Sequence, residues 1–196
     1  MKIANIPKAL AVWLAGQGVI TEDEIELYEY AVICVAFLFS PLIMALIFGV
    51  PFCSVSLRVV FIIPFMVIRK YSGGYHSQKI RNCLLISGIL LTLCFICAEH
   101  TVLSIWFSGV VFYLSVCIGV VSPVDSENRR LTDEEAIRFK EKCREWLVLF
   151  GGIYLLLCVT GASVAAVYWG YGLILTALLQ IPCVVKRIVM PGRQAH

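Results

Sequence analysis

The stretch Arg69-Lys70-Tyr71-Ser72-Gly73-Gly74-Tyr75-His76 is followed seven residues later by Cys83. It sets a potential base and a potential nucleophile among the cations Arg69, Lys70, Lys79 and Arg81. A thiol reacts as its thiolate, and nearby positive charge together with a helix N-terminus lowers a cysteine pKa. A neutral imidazole can accept the thiol proton, and the resulting imidazolium then holds the thiolate as an ion pair. On a straight helix, seven residues put both groups on one face but separate them by a rise of about 10.5 Å. That is too far for a direct hydrogen bond of about 3 Å. Gly73-Gly74 admits backbone conformations closed to other residues. The expectation is therefore His76 on a turn or loop and Cys83 in the first turns of the following helix, with a bend bringing imidazole to sulfur. Spacing and charge alone leave a simpler reading open, in which both residues are ordinary members of a surface turn.

The elements that must position this stretch are apolar. Of 196 residues, 60% are hydrophobic and 15% charged, with a mean hydropathy of +0.90. Soluble domains carry about 25% charged residues. The expected fold class is an all-α integral membrane protein forming one polytopic domain over residues 1–196. Measured against the roughly 20 apolar residues needed to cross a bilayer, about six transmembrane helices are expected. They fall near Tyr30–Val50, Ser54–Ile68, Leu84–Ala98, Val102–Ser122, Trp146–Val167 and Tyr171–Val189. Residues 1–20 carry Ile3, Ile6, Leu10, Trp13 and Leu14 at helical spacing, between Lys2 and Lys8. This pattern predicts an amphipathic helix lying in the headgroup layer or packed on the protein, and not a secretory signal. Thr21-Glu22-Asp23-Glu24 has the form of a capping box at the start of the first span.

Charge placement gives the orientation. With both termini cytoplasmic, all but Arg58 of the 16 lysines and arginines lie on the inner side, as the positive-inside rule requires. The segment 69–83 then faces the cytoplasm. So does the polar loop 123–145, in which a short helix is expected to begin near Thr132 and cations to meet anionic headgroups. Cys34, Cys94, Cys97, Cys117, Cys158 and Cys183 sit in apolar runs and read as small hydrophobes. Cys94-x-x-Cys97 has no second pair to complete a zinc site. No metal, cofactor or nucleic-acid partner is expected.

The sequence Arg69 to His76 followed by Cys83 resembles the signature of the AgrB (accessory gene regulator B) family, bacterial membrane cysteine endopeptidases that process quorum-sensing propeptides. The resemblance extends to the amphipathic N-terminus, to Glu29-Tyr30 entering the first span, and to the Pro123 to Asn128-Arg129 segment, so it covers nearly the whole chain. It implies Cys83 as nucleophile and His76 as base. Arg69 and Gly74 match positions the family uses for activity, acting either on substrate or on loop shape, with Gly73 beside them. The implied substrate is an AgrD-like propeptide with an acidic C-terminal tail. Lys70, Lys79, Arg81, Arg129 and Arg130 would guide that tail by charge complementarity, or would only set topology. The implied reaction passes through a Cys83 thioester, which an internal Cys or Ser of the propeptide attacks to close a thiolactone or lactone. Asp125 or Glu127 would be the candidates to orient His76. The family also implies a homodimer in the bacterial cell membrane.

Two other classes use the same features differently. A membrane acyltransferase would carry a fatty acyl group on Cys83 and need no propeptide. A small transporter would need polar groups along its spans; these contain Gln180, hydroxyls and small residues but no mid-membrane Asp or Glu, and such residues usually mark a transport route. His100 and His196 fall on the outer side and at the chain end, away from any of this chemistry.

Overall fold

The structure, a computed structural model, describes residues 6–73, 80–123 and 132–189; the side chains of residues 34, 37, 38, 80–84, 133, 183 and 186–189 are also outside the description. Among the described residues there is no strand. Seven α-helices follow one another: α1 (Ile6–Gly16), α2 (Ile25–Phe48), α3 (Val55–Ser72), α4 (Ile80–His100), α5 (Ile105–Val121), α6 (Asp133–Val159) and α7 (Ser163–Val189). The chain divides into two compact units, residues 1–43 and 44–196, and α2 runs through the boundary.

In the first unit α1 is shorter than the expected 1–20 helix, ending at Gly16. Ile6, Leu10, Val12 and Trp13 are left exposed along it. The capping box forms as the sequence indicates: the Thr21 backbone N–H donates to Glu24 Oε2 at 3.0 Å, across a 3-10 turn, Glu22–Glu24, that leads into α2. These hydrogen bonds from Thr21 hold the Glu24 carboxyl below the usual carboxylate range. The folded pKa is thus depressed, so this capping contribution is present above the ordinary glutamate pKa and is lost as pH falls through the lower folded value.

In the second unit α7 is the central helix, packed against α3, α4, α5 and α6. Its core holds Ile68, Val111, Ile118, Phe150, Trp169 and Leu173. Trp169 meets the Phe150 ring edge-on at 5.3 Å and its indole N–H donates to the Phe150 carbonyl at 3.2 Å, so the one polar atom of a buried ring is satisfied. Phe61 of α3 and Phe95 of α4 stack at 4.7 Å between ring centroids. The closest approach is at Gly172 of α7: a Cβ there would collide with the Phe61 carbonyl oxygen and lie 2.8 Å from the Pro64 ring of α3. Arg58, the lone outer-side cation of the sequence reading, donates to the Leu46 carbonyl at 2.7 Å and the Cys53 carbonyl at 3.0 Å. It therefore satisfies an end carbonyl of α2 and fixes the turn into α3.

Two expectations are corrected by where helices start and stop. The polar segment 123–145 is not a loop with a short helix, because from Asp133 onward it is the first half of the 27-residue α6. Thr132 and Glu135 cap it reciprocally: Thr132 N–H donates to Glu135 Oε2 at 3.2 Å and Glu135 N–H to Thr132 Oγ1 at 3.4 Å. The capping box was legible; the length was hidden by mixed charges, which an exposed helix tolerates. Replacing Thr132 with alanine is expected to destabilise the first turn of α6 by about 1 kcal/mol, seen as faster amide exchange at Glu134 to Arg138. The second correction concerns the expected span Trp146–Val167, which is cut at residues 160–162. Gly161 adopts φ +76, with Gly161 N–H bonded to the Cys158 carbonyl and Ala162 N–H to the Leu157 carbonyl. This is a Schellman end, for which a left-handed residue is required. Helix α7 accordingly begins at Ser163 rather than Tyr171.

One stretch of the described residues, Ser163–Pro182, is long and apolar enough to cross a membrane, and 67% of it is buried within the protein. Phe39–Phe48, Leu85–His100 and Ile105–Val121 are shorter apolar helical stretches. In α6 the apolar part, Trp146–Val159, would rise only about 21 Å against the roughly 30 Å of a bilayer core. Large apolar side chains nonetheless face outward, with Trp106 83%, Phe112 73% and Val159 85% exposed. Apolar surface of this extent is rare on a protein in water.

Candidate active site at one end of the helix bundle

Helix α3 stops at Ser72 because Gly73 turns the chain with φ +70, a backbone region that favours glycine. The last carbonyls of a helix have no partner within it, and here side chains supply the partners. Arg69 Nη1 donates to the Gly73 carbonyl at 2.8 Å. The Ser72 hydroxyl donates to the same oxygen at 3.3 Å. Arg69, one turn back on α3, thus folds over the end of its own helix. Lys70 Nζ lies 5.4 Å from the centroid of the Tyr71 ring, and that ring meets Phe139 of α6 at 6.0 Å.

Further polar groups lie beneath this turn. Gln180 of α7 reaches the Ser72 carbonyl at 3.4 Å and the Ser122 hydroxyl at 2.9 Å. Ser122, which follows α5, also bonds the thiol of Cys143 on α6. Burial pushes the Cys143 thiol up, with the Ser122 hydrogen bond opposing that shift. Cys143 therefore stays protonated near neutral pH and lacks the character of a nucleophile. At the same end, Arg144 Nε donates to the Gly119 carbonyl at 3.3 Å, and Lys142 pairs with Glu145 at 2.7 Å on the surface.

Of the residues singled out in the sequence, Arg69, Lys70 and Gly73 are brought together here at the end of α3. Arg81 and Cys83 belong to the first turn of α4, which begins at Ile80; that turn carries backbone N–H groups without helical partners. Gly74, His76 and Lys79 lie outside the described residues, as do Asp125, Glu127, Arg129 and Arg130. Sequence reasoning did not find the roles of Ser72, Ser122 and Cys143. The signal for Gln180 was present, as a single amide in an otherwise apolar run, but its partners are far away in sequence.

Comparison with known proteins gives a consistent result. Residues 8–183 match the family model described as accessory gene regulator B. AgrB-like protein 2 of Clostridium perfringens (strain 13 / Type A), itself named by likeness, is 27% identical over 161 residues, covering 76% of this chain and 73% of its own. An AgrB-like protein of the same species (strain SM101 / Type A), named on the same basis, is 25% identical over 161 residues with the same coverage. No solved structure matches the chain. The model match takes in most of the sequence, including Arg69, Gly73, Gly74, His76 and Cys83, and the chain belongs to the accessory gene regulator B family.

Proposed function

We propose that the protein is a membrane cysteine endopeptidase that cuts the C-terminal tail from an AgrD-like propeptide and leaves the remainder free to cyclise. The observation that carries this reading is the family match over residues 8–183, with Gly73-Gly74-Tyr75-His76 and Cys83 inside it. The Cys83 thiolate attacks the scissile carbonyl, forming a C–S bond. The C–N bond then breaks, and the imidazolium of His76 gives its proton to the leaving amine. In the second half an internal thiol or hydroxyl of the propeptide loses its proton to His76 and attacks the thioester. Cys83 leaves as thiolate, and the ring closes as a thiolactone or lactone. Water must be kept from the thioester, since hydrolysis would give a linear peptide; a site at the bilayer edge helps to exclude it.

The proposed topology is six crossings with both termini cytoplasmic and α1 lying on the bilayer surface. The outward apolar side chains support a lipid environment. The antiparallel course of α3 to α7 also gathers Arg69, Lys70, Phe139, Lys142 and Arg144 at one end, in agreement with the charge bias of the sequence. The homodimer expected of the family is retained as part of this proposal. Lys70, Lys79 and Arg81 are assigned to guiding the acidic tail. Arg69 is assigned to the shape of the catalytic turn, because its guanidinium holds the Gly73 carbonyl. Arg69→Ala is expected to lower the initial rate of tail release by about tenfold or more, with Arg69→Lys intermediate, since one donor of a charge-assisted bond worth roughly 1.5–3 kcal/mol is kept.

The direct test uses the purified protein in lipid nanodiscs and a synthetic AgrD-like peptide, amphipathic at its start and acidic at its end. Acid quenching followed by intact mass measurement should show the tail-less peptide bound through Cys83, with free tail equal to the sum of this adduct and the cyclic product. Tail release by protein whose Cys83 has been alkylated would refute the proposal. A fatty acyl adduct on Cys83 in place of the peptide would favour the acyltransferase.

A further inference from the structure

Gln180 is a buried polar residue of this bundle end that the proposed chemistry leaves unused. It is 4% exposed, in a helix otherwise apolar around it. Burying an amide without partners is costly, so its partners define what it holds. Its nitrogen donates to Ser122 Oγ at 2.9 Å and towards the Ser72 carbonyl at 3.4 Å. The orientation is fixed chemically, because a carbonyl can only accept and the amide nitrogen must face it. Ser72 and Ser122 are themselves buried. Ser72 is the final residue of α3, one before Gly73, and Ser122 directly follows α5. One side chain on α7 therefore ties together the places where the chain leaves α3 and α5.

The carbonyls of Ser72 and Gly73 are held separately, the first by Gln180 and the second by Arg69 and the Ser72 hydroxyl. Arg69 belongs to α3 and moves with it, whereas Gln180 refers the end of α3 to a different helix. We infer that Gln180 is a positioning residue: by holding the Ser72 carbonyl to α7 it sets where the segment bearing His76 starts, and so supports the pairing of His76 with Cys83. This inference rests on the endopeptidase reading. The competing explanation is that Gln180 only stabilises the bundle.

Alkylation of Cys83 by iodoacetamide at pH 7, followed by mass spectrometry of its proteolytic peptide, separates the two explanations without any propeptide. Wild-type protein in nanodiscs sets the upper rate and His76→Ala the lower. Gln180→Leu should fall towards the His76→Ala rate, by about tenfold for each unit by which the thiol pKa rises. Ser122→Ala keeps the bond to Ser72 and should stay within about twofold of wild type, because the Ser72 carbonyl is still tied to α7. The double variant Gln180→Leu/Ser122→Ala also removes the hydroxyl that has lost its Gln180 donor and should regain thermal stability while its alkylation stays slow. If Gln180→Leu fails to fold, Gln180→Asn, one methylene too short for Ser72, carries the same expectation of slow alkylation in a folded protein. Wild-type alkylation in a folded Gln180 variant, or a rate that returns with stability in the double variant, overturns the positioning role alone. Equal rates for His76→Ala and wild type would instead remove the Cys83–His76 pair and the inference with it.

Discussion

Replacing Cys83 with alanine is expected to abolish tail release from the propeptide, with a loss on the order of 10³-fold or more, while the protein still inserts and accumulates. The loss is large because both halves of the proposed reaction run through the thioester on Cys83. Cys143 does not substitute for it: its thiol is buried and its pKa is raised by that burial. His76→Ala should cost about 10²–10⁴-fold, the usual worth of a positioned acid–base group. Cys83→Ser should be nearly as inactive as alanine, since a serine hydroxyl loses its proton far less readily than a thiol. The measurement is the mass of released tail after co-expression, normalised to protein in the membrane fraction. Full processing by Cys83→Ala would end the protease reading, whereas equal loss of membrane-inserted protein would mark the substitution as a folding defect.

The second large effect lies away from the chemistry. Gly172→Leu should leave little folded protein, because even the first carbon of a side chain would overlap the Phe61 carbonyl and press on the Pro64 ring. Neither obstacle is the far end of a flexible side chain. One is backbone and the other a ring, so α3 must move away from α7. Overpacking by a methylene or two costs about 1–3 kcal/mol, a range that fits Gly172→Ala, and leucine adds three more carbons. Total stabilities are only about 5–15 kcal/mol. Gly152→Ala is the matched control on α6, where nothing lies within 4 Å of the added carbon; there the helix should gain about 0.5–1 kcal/mol. Thermal unfolding of the detergent-solubilised chains, followed by size-exclusion chromatography, reads both. A Gly172→Leu protein as stable as wild type would show that α3 and α7 do not approach closely at this point.

These two predictions draw on different parts of the molecule, and the difference bears on what was legible beforehand. His76 and Cys83 are proposed from residue type, spacing and neighbouring charge together with the family resemblance, all of which rest on groups close in sequence. Thr21 and Thr132 were found for the same reason, since a capping box closes over three residues. The full length of α6 and its break at Gly161 were not. A helix with nine charges in its first half resembles a loop when judged by hydropathy, and a lone glycine between two apolar runs gives only a weak stop signal.

The sequence by itself determined the helical class and the family, and it supplies the proposed nucleophile and base; all of these depend on short-range pattern. Only the tertiary structure decided that Gln180 holds the Ser72 carbonyl and that Gly172 must lie bare against Phe61. The bond from Gln180 spans 108 residues, and the contact between Gly172 and Phe61 likewise joins distant parts of the chain. Such neighbours are chosen by how helices pack, because a buried polar atom takes whichever partner the packing brings within reach, and no local pattern of residues encodes that choice.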